Sequence, residues 1–471
     1  MESKTIARRP HCLVLAFPGQ GHINPMLEFS KLLQHKGIKV TFVTTLSFCK
    51  NLQTFPNSIP LETISDGFDN GGYEEAGSRK VYYDSIREAG KHTLIELIHN
   101  HNYSNKGNND NNIIDCLVYN SFMGWALDVA KRFGLVGVCF LTQNVGVNSI
   151  YYHVNKGMLK VPLLENEEIW LPGLPSLAPC EMPSFLYEYG DEPAAFDLVV
   201  GQFSNIEKAD WILCNTFYEL QKEVADYMTK IWPKLRTIGP TIPYKLLMNT
   251  NNDAREGLKE DEQEDYGFAH FKSEECTEWL DDQPKGSVVF VSFGSLATLN
   301  EEQMEEIVWG LRDSDSPYYL WVVRDSEESK LPKEFKRKSK KGMVVSWCHQ
   351  IKVLSHEAIG CFVTHCGWNS TIEALSLGVP MVAFPQLSDQ TTNAKFIEDV
   401  WKNGVRAPID EKGIVRGEAL RKSIWEILKG EKGSEIRSNA IKWRNLAIMA
   451  VQKGGSSCNN FEEFVDDLLR L

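Results

Sequence analysis

A run of roughly 18 apolar residues, enough to span a bilayer, is absent from the chain, so no transmembrane helix is expected. A basic surplus is absent too. The 50 Lys and Arg face 63 Asp and Glu, for a net charge of −13, which argues against nucleic acid or an anionic membrane as partner. Any anionic ligand must then be held by local geometry. The eleven cysteines are odd in number and form no CxxC pair, a pattern of free thiols in a reducing compartment. Zinc-site spacing is also missing. His349, His356, His365 and Cys366 gather only loosely, on different elements, and no metal is expected. Near the N-terminus Arg8-Arg9 precedes apolar residues, but Cys12 to Phe17 is too short for the core of a secretory leader and no cleavage site follows. The expectation is a first β-strand and a cytosolic protein.

What is present is an ordinary globular composition, 42% hydrophobic and 24% charged, over 471 residues, more than one core holds. Two halves open alike. His11 to Phe17 is a continuous apolar strand followed by Pro18-Gly19-Gln20-Gly21-His22 and a helical pattern from Pro25 to His35. Ser287 to Phe293 restarts that pattern, followed by Gly294-Ser295 and a helix over Asn300 to Arg312. Apolar strands alternating with helices predict parallel sheets covered on both faces. Thr250 to Tyr266 is polar and linker-like, and His99 to Asn112 is an Asn-rich stretch expected to form a loop. The fold class is therefore α/β, two doubly wound domains facing across a cleft. The predicted boundaries are 1–245, a linker at 246–270, 271–452, and a C-terminal helix in 453–471 that packs back on the first domain.

Ligands of such sheets sit beyond the C-terminal strand ends, which directs attention to 18–22 and 364–371. The second of these reads His365-Cys366-Gly367-Trp368-Asn369-Ser370 after an apolar run. Strand, glycine turn, Asn/Ser cap and helix is a layout that aims unpaired backbone N–H groups at an anion, so a phosphate-handling site is predicted.

The stretch Trp347 to Gln390 closely resembles the signature box of plant secondary-product UDP-glycosyltransferases, inverting enzymes of the two-Rossmann-domain GT-B type. PGQGHINP, WALDVAKRFGL, NTFYELQ, SFGS and GGSS extend the resemblance nearly end to end. The wording FPGQGHINPML, FLTQN and PSFL is similar to the subgroup acting on carboxylic acids, thiohydroximates, steroids or triterpenoids. The resemblance implies that Trp347 stacks on uracil, with the Cys348 backbone at its edge. Gln350 and Glu373 fall on the ribose positions. His365, Gly367, Asn369 and Ser370 fall on the diphosphate positions, with His365 adding charge if protonated. Trp368, Asp389 and Gln390 match sugar contacts, the Gln pointing to glucose. Thr142 and Ser295 resemble secondary contacts to sugar and phosphate. UDP-glucose is thus the implied donor and no metal is implied, so the leaving diphosphate needs stabilising by the protein.

His22 resembles the family's general base, which takes the acceptor proton as oxygen attacks the anomeric carbon. The family pairs this His with an Asp, but here LVYNSF supplies Asn120. In a protease triad the equivalent change costs roughly 10⁴ in turnover. Neither Asp115 nor Asp128 is spaced to substitute. Three readings stay open at this point. The chain is a weakened form; or its acceptors ionise unaided, as carboxylates and acidic phenols do; or His22 works alone, with water or the Asn120 oxygen fixing its tautomer.

By the same analogy, the acceptor pocket comprises Phe17, Phe122, Met123, Phe185, Leu186, Phe196, Val200 and Phe203, an apolar lining suited to a hydrophobic aglycone. The expected activity is transfer of glucose to a hydroxyl or carboxyl of a small hydrophobic natural product, by a monomer. Alternatives are another UDP-sugar, a thiol acceptor, or a UDP-sugar binder silenced by Asn120.

Overall fold

The computed structural model describes residues 8–52, 55–104, 113–248, 276–312, 318–333, 335 and 341–471. Two parallel sheets carry the chain. The first joins His11–Leu15 (β1), Lys39–Thr45 (β2), Leu61–Ile64 (β3), Cys116–Asn120 (β4), Val136–Leu141 (β5), Trp211–Cys214 (β6) and Leu235–Thr237 (β7) in the order β3-β2-β1-β4-β5-β6-β7. The second joins Val288–Ser292 (β8), Tyr318–Val322 (β9), Gly342–Val345 (β10), Ile359–Thr364 (β11), Met381–Ala383 (β12) and Gly404–Arg406 (β13) in the order β10-β9-β8-β11-β12-β13. Both orders reverse direction beside the first strand of their half. Such a switch point opens a crevice at the carboxyl strand ends. Unbroken apolar strands follow from burial on both faces, and β1, β4 and β8 are buried along their whole length.

The first helix, Gln20–His35, begins a full turn earlier than the predicted Pro25. Gly19 is extended and takes the N-cap position, so helix formation starts directly behind the strand turn. Pro25 lies inside the helix, where its missing N–H leaves the Gly21 carbonyl without an intrahelical donor. The Asn-rich stretch also departs from expectation in part. Asn100–Ser104 continues the helix Arg79–His99 as a π-helical turn, tied to the first sheet by His101, which lies 2.8 Å from Glu62 and edge-on to His11. Residues 105–112 of that stretch lie outside the described residues. So does most of the predicted linker, whose first residues close the short helix Tyr244–Met248.

One buried apolar cluster runs from Leu13 and Tyr119 through Phe290 and Trp368 to Trp401, so the two halves share core packing. The last helix, Ser456–Leu468, buries Phe461, Phe464, Val465 and Leu468. Phe464 packs 5.6 Å from the Trp211 ring and 6.2 Å from Phe29, both in the first half. Arg236 clamps Glu463 of the same helix at 2.6 Å. Removing the fully buried Phe464 side chain leaves a cavity, whereas the ion pair is partly exposed and weak. Phe464→Ala is expected to cost about 3–5 kcal/mol in urea unfolding, and Arg236→Ala about 1 kcal/mol or less.

Candidate active site in the interdomain cleft

Three neighbouring strands of the first sheet deliver the groups around His22. It sits in the first turn of the helix that follows β1, and Asn120 is the last residue of β4. Thr142 follows directly on β5. His22 Nδ1 lies 3.0 Å from Thr142 Oγ1 and 3.1 Å from Asn120 Nδ2. Thr142, expected to touch the sugar, also meets the imidazole, and a hydroxyl donating there keeps its acceptor lone pairs. The Asn120 oxygen, read as a way to hold the His22 tautomer, instead accepts the Phe122 N–H at 3.2 Å. Burial lowers the His22 pKa to about 4, so the ring is neutral at physiological pH. Asp115 bonds Arg8 and the His11 N–H at the opposite end of the strand, and Asp128 is exposed, so neither reaches His22.

An aromatic collar surrounds this ring. Phe122 lies 4.7 Å and Phe17 5.2 Å from the His22 centroid, and Phe17 also meets Tyr83 at 6.2 Å. Phe185, Phe196 and Val200 are half-buried in neighbouring segments, Phe196 against Tyr189. Met123, Leu186 and Phe203 are fully buried instead. Phe203 stacks on Trp232 and packs edge-on to Tyr152, so it is core rather than pocket wall. Composition alone could not separate these, because core and pocket draw on the same residue types. Tyr83 had no signal in the sequence at all.

On the other wall, β11 ends at Thr364 and the helix Trp368–Leu377 starts after three intervening residues, without a side-chain cap. This helix start, with its unpaired first-turn N–H groups and positive dipole end, lies against the other half, where Asn369 meets Gly21. Cys366 makes the turn at φ 65°, a left-handed conformation uncommon for a non-glycine residue, and its carbonyl accepts Asn393 Nδ2 at 2.9 Å. His365 is gripped by two glycines. A Cβ on Gly294, which has φ +70°, would fall 2.7 Å from His365 Nε2, and one on Gly367 would overlap the same atom. Burial lowers the His365 pKa to about 4, with the Ser292 backbone opposing the shift and the Arg324 charge adding to it, so the ring is neutral where no anion faces it. Arg324 itself went unnoticed, although an Arg ending an apolar strand (WVVR) was the available clue. Its guanidinium bonds the Ser295 and Ala297 carbonyls, fixing the loop that carries Ser295.

Gln350 Nε2 reaches both Ser370 Oγ and Glu373 Oε2 at 2.8 Å. Burial raises the Glu373 pKa to about 7, and the Gln350 contact opposes that rise. Trp347 is half-buried and Cys348 buried just beyond β10. Asp389 is buried, accepts Asn393 Nδ2 at 2.8 Å and has its pKa raised by burial to about 6. The Gln143 side chain also bonds Asp389, a contact the sequence reading missed. Gln390 was expected to accept from sugar hydroxyls. Its Oε1 is already taken by the Gln386 and Leu387 N–H groups at 2.9 Å, which leaves only its amide nitrogen. Trp368 also differs from expectation. Its indole is buried against Trp401 and donates to the Asn215 carbonyl at 2.7 Å, so only its backbone remains for a ligand.

The walls meet through polar contacts. Asn369 Nδ2 donates to the Gly21 carbonyl at 2.8 Å, the acceptor that Pro25 left open. Asn144 Nδ2 donates to Asn393 Oδ1 at 2.7 Å. Thr142, Gln143 and Asn144 thus serve His22, Asp389 and Asn393 in turn. Three polar residues ending an apolar strand were the clue to that role. Gly367→Ala is expected to displace the His365 ring and lower the melting temperature by several degrees in a thermal scan, whereas Gly201→Ala, in open space and with no left-handed backbone, leaves both unchanged.

Residues 230–431 match the family described as UDP-glucoronosyl and UDP-glucosyl transferase. The chain is similar to mogroside I-E synthase of Siraitia grosvenorii, 43% identical over 97% of both chains. It is equally similar to flavonol 7-O-beta-glucosyltransferase UGT74F1 of Arabidopsis thaliana, 43% identical over 98% of both. The crystal structure of Os79 from O. sativa in complex with UDP superposes with a TM-score of 0.88 at 35% identity, covering 97% of this chain and 100% of that one. A two-sheet α/β fold, a cleft between the carboxyl strand ends and full-length relatives together establish that the chain belongs to the plant UDP-glycosyltransferase family.

Proposed function

We propose that the protein transfers glucose from UDP-glucose, with inversion, to a small hydrophobic natural product, and that it acts as a cytosolic monomer without a metal. One observation carries this reading. His22, ringed by aromatic side chains, sits one residue from a carbonyl that is hydrogen-bonded to the opposing helix terminus. An acceptor held by the collar and a donor diphosphate at that terminus would bring the nucleophile, the anomeric carbon and the leaving group together. Relatives named for glucosyl transfer and a UDP-bound neighbour support UDP-glucose as donor. They also favour an enzyme over a silent binder.

Trp347 stacks on uracil and Glu373 takes the ribose hydroxyls in this reading. His365, Ser370 and the open N–H groups of the helix Trp368–Leu377 hold the diphosphate, and negative charge on departing UDP is met by the helix dipole. Arg324 adds a positive charge behind the Ser295 loop. Asp389 accepts sugar hydroxyls while the Gln390 amide donates. The eleven cysteines, none of them in a disulfide, support a reducing compartment.

UDP release from UDP-glucose with pooled aglycones, scored with product masses, tests the reading. Turnover with a hexose mass gain is expected, and tight UDP binding without product from any acceptor would overturn it. The raised Glu373 pKa gives a second test. Ribose hydroxyls donate to the carboxylate, so donor binding favours the ionised form and strengthens as pH rises through about 7. UDP-glucose has no group titrating near neutrality, and its affinity is expected to rise about tenfold from pH 6 to 8. Glu373→Gln should flatten this profile in calorimetry, apart from the Asp389 contribution near pH 6.

A further inference from the structure

We propose that Asn120 locks the His22 imidazole with its proton on Nε2, so that the enzyme selects acceptors whose nucleophilic oxygen is already ionised, carboxylic acids, and forms glucose esters. The inference rests on the donor and acceptor placement proposed above and narrows its acceptor class.

Asn120 is fully buried, and its amide has a single oxygen. That oxygen caps the turn Ser121–Met123 by accepting the Phe122 N–H at 3.2 Å. Only the NH₂ group is left to face the imidazole, at 3.1 Å from Nδ1. Turning the amide over would set NH₂ against the Phe122 N–H and strand that donor. The Nδ1 atom must therefore be the acceptor and carry no proton. The Thr142 hydroxyl, at 3.0 Å from the same atom, can donate to it as well. In a neutral imidazole the proton then sits on Nε2, which no hydrogen bond from the chain reaches among the described residues. An aspartate at this position would have two oxygens, one for the cap and one to accept from Nδ1–H. It would leave Nε2 bare. Asparagine cannot do both.

This difference decides what His22 can do. A bare Nε2 removes a proton from a hydroxyl; an Nε2–H cannot, but it donates to an anion. For a carboxylate no proton need be removed. One carboxylate oxygen attacks the anomeric carbon, the bond from that carbon to the diphosphate oxygen breaks, and UDP leaves with the electron pair. The Nε2–H also offsets part of the cost of burying a carboxylate inside the aromatic collar. A neutral alcohol must first lose its proton. His22 could accept it only by moving its own proton to Nδ1, against two donors.

Two readouts test this on the full-length protein. Long-range ¹H–¹⁵N spectra with labelled histidine should show His22 with a bare Nδ1 and a protonated Nε2, and the reverse in Asn120→Asp. Turnover of UDP-glucose with an aromatic carboxylic acid and its matching neutral alcohol should favour the acid in the natural enzyme. Asn120→Asp should raise kcat/KM for the alcohol by about 10- to 100-fold and change the acid by less than about threefold. A protonated Nδ1 in the natural protein would overturn the inference. So would an alcohol that matches or exceeds the acid, or an equal gain for both. No UDP release with any acceptor would overturn the transferase reading and the acceptor class with it, and the spectra would still decide the tautomer.

Discussion

Pro25 lies one turn into the helix after β1 and has no N–H to offer, so the Gly21 carbonyl is free to accept from outside its own helix. Asn369, on the opposing helix, supplies the donor at 2.8 Å. This contact and the neighbouring Trp368 bond to Asn215 hold the two halves in register where they face each other. Both are formed at helix starts, where backbone polar groups lack intrahelical partners. The same geometry that leaves N–H groups available for a ligand therefore leaves a carbonyl available for the partner half. His22 lies between the two uses.

Burial shifts every ionisable group of the site toward its neutral form, fully for the two histidines and in part for the two acids. His22 and His365 are lowered to about 4, and Glu373 and Asp389 are raised to about 7 and 6. Positive charge at this wall comes from Arg324, which is bound to backbone carbonyls. Fixed dipoles and one anchored cation suit a diphosphate in a chain of net charge −13, because they need no reorganisation as charge develops on the leaving group.

Much of the site was legible because its motifs lie on contiguous βα turns. Strand, turn and helix start follow one another in sequence, so the positions of His22 and of His365 to Ser370 could be assigned from order alone. Side-chain direction could not. Trp368 and Gln390 occupy recognisable box positions, yet the indole faces Asn215 and the amide oxygen faces its own loop. Thr142 turns to His22 because β5 ends beside β4, a neighbour relation set by strand order. Phe122 and Phe203 read alike as residues; one borders the His22 ring and the other stacks under Trp232.

Read alone, the sequence determined the α/β class, the two halves, the family and the fact that Asn120 stands where an acid would pair with His22. The class and the halves follow from local pattern and spacing along the chain, the family and the place of Asn120 from the resemblance of its motifs. It left three meanings of Asn120 open, because an amide can present either oxygen or nitrogen. Tertiary structure removed one of them, the Asn120 oxygen as the group that fixes the His22 tautomer, by spending that oxygen on the Phe122 N–H, a backbone group two residues away whose direction depends on how the turn after β4 is folded.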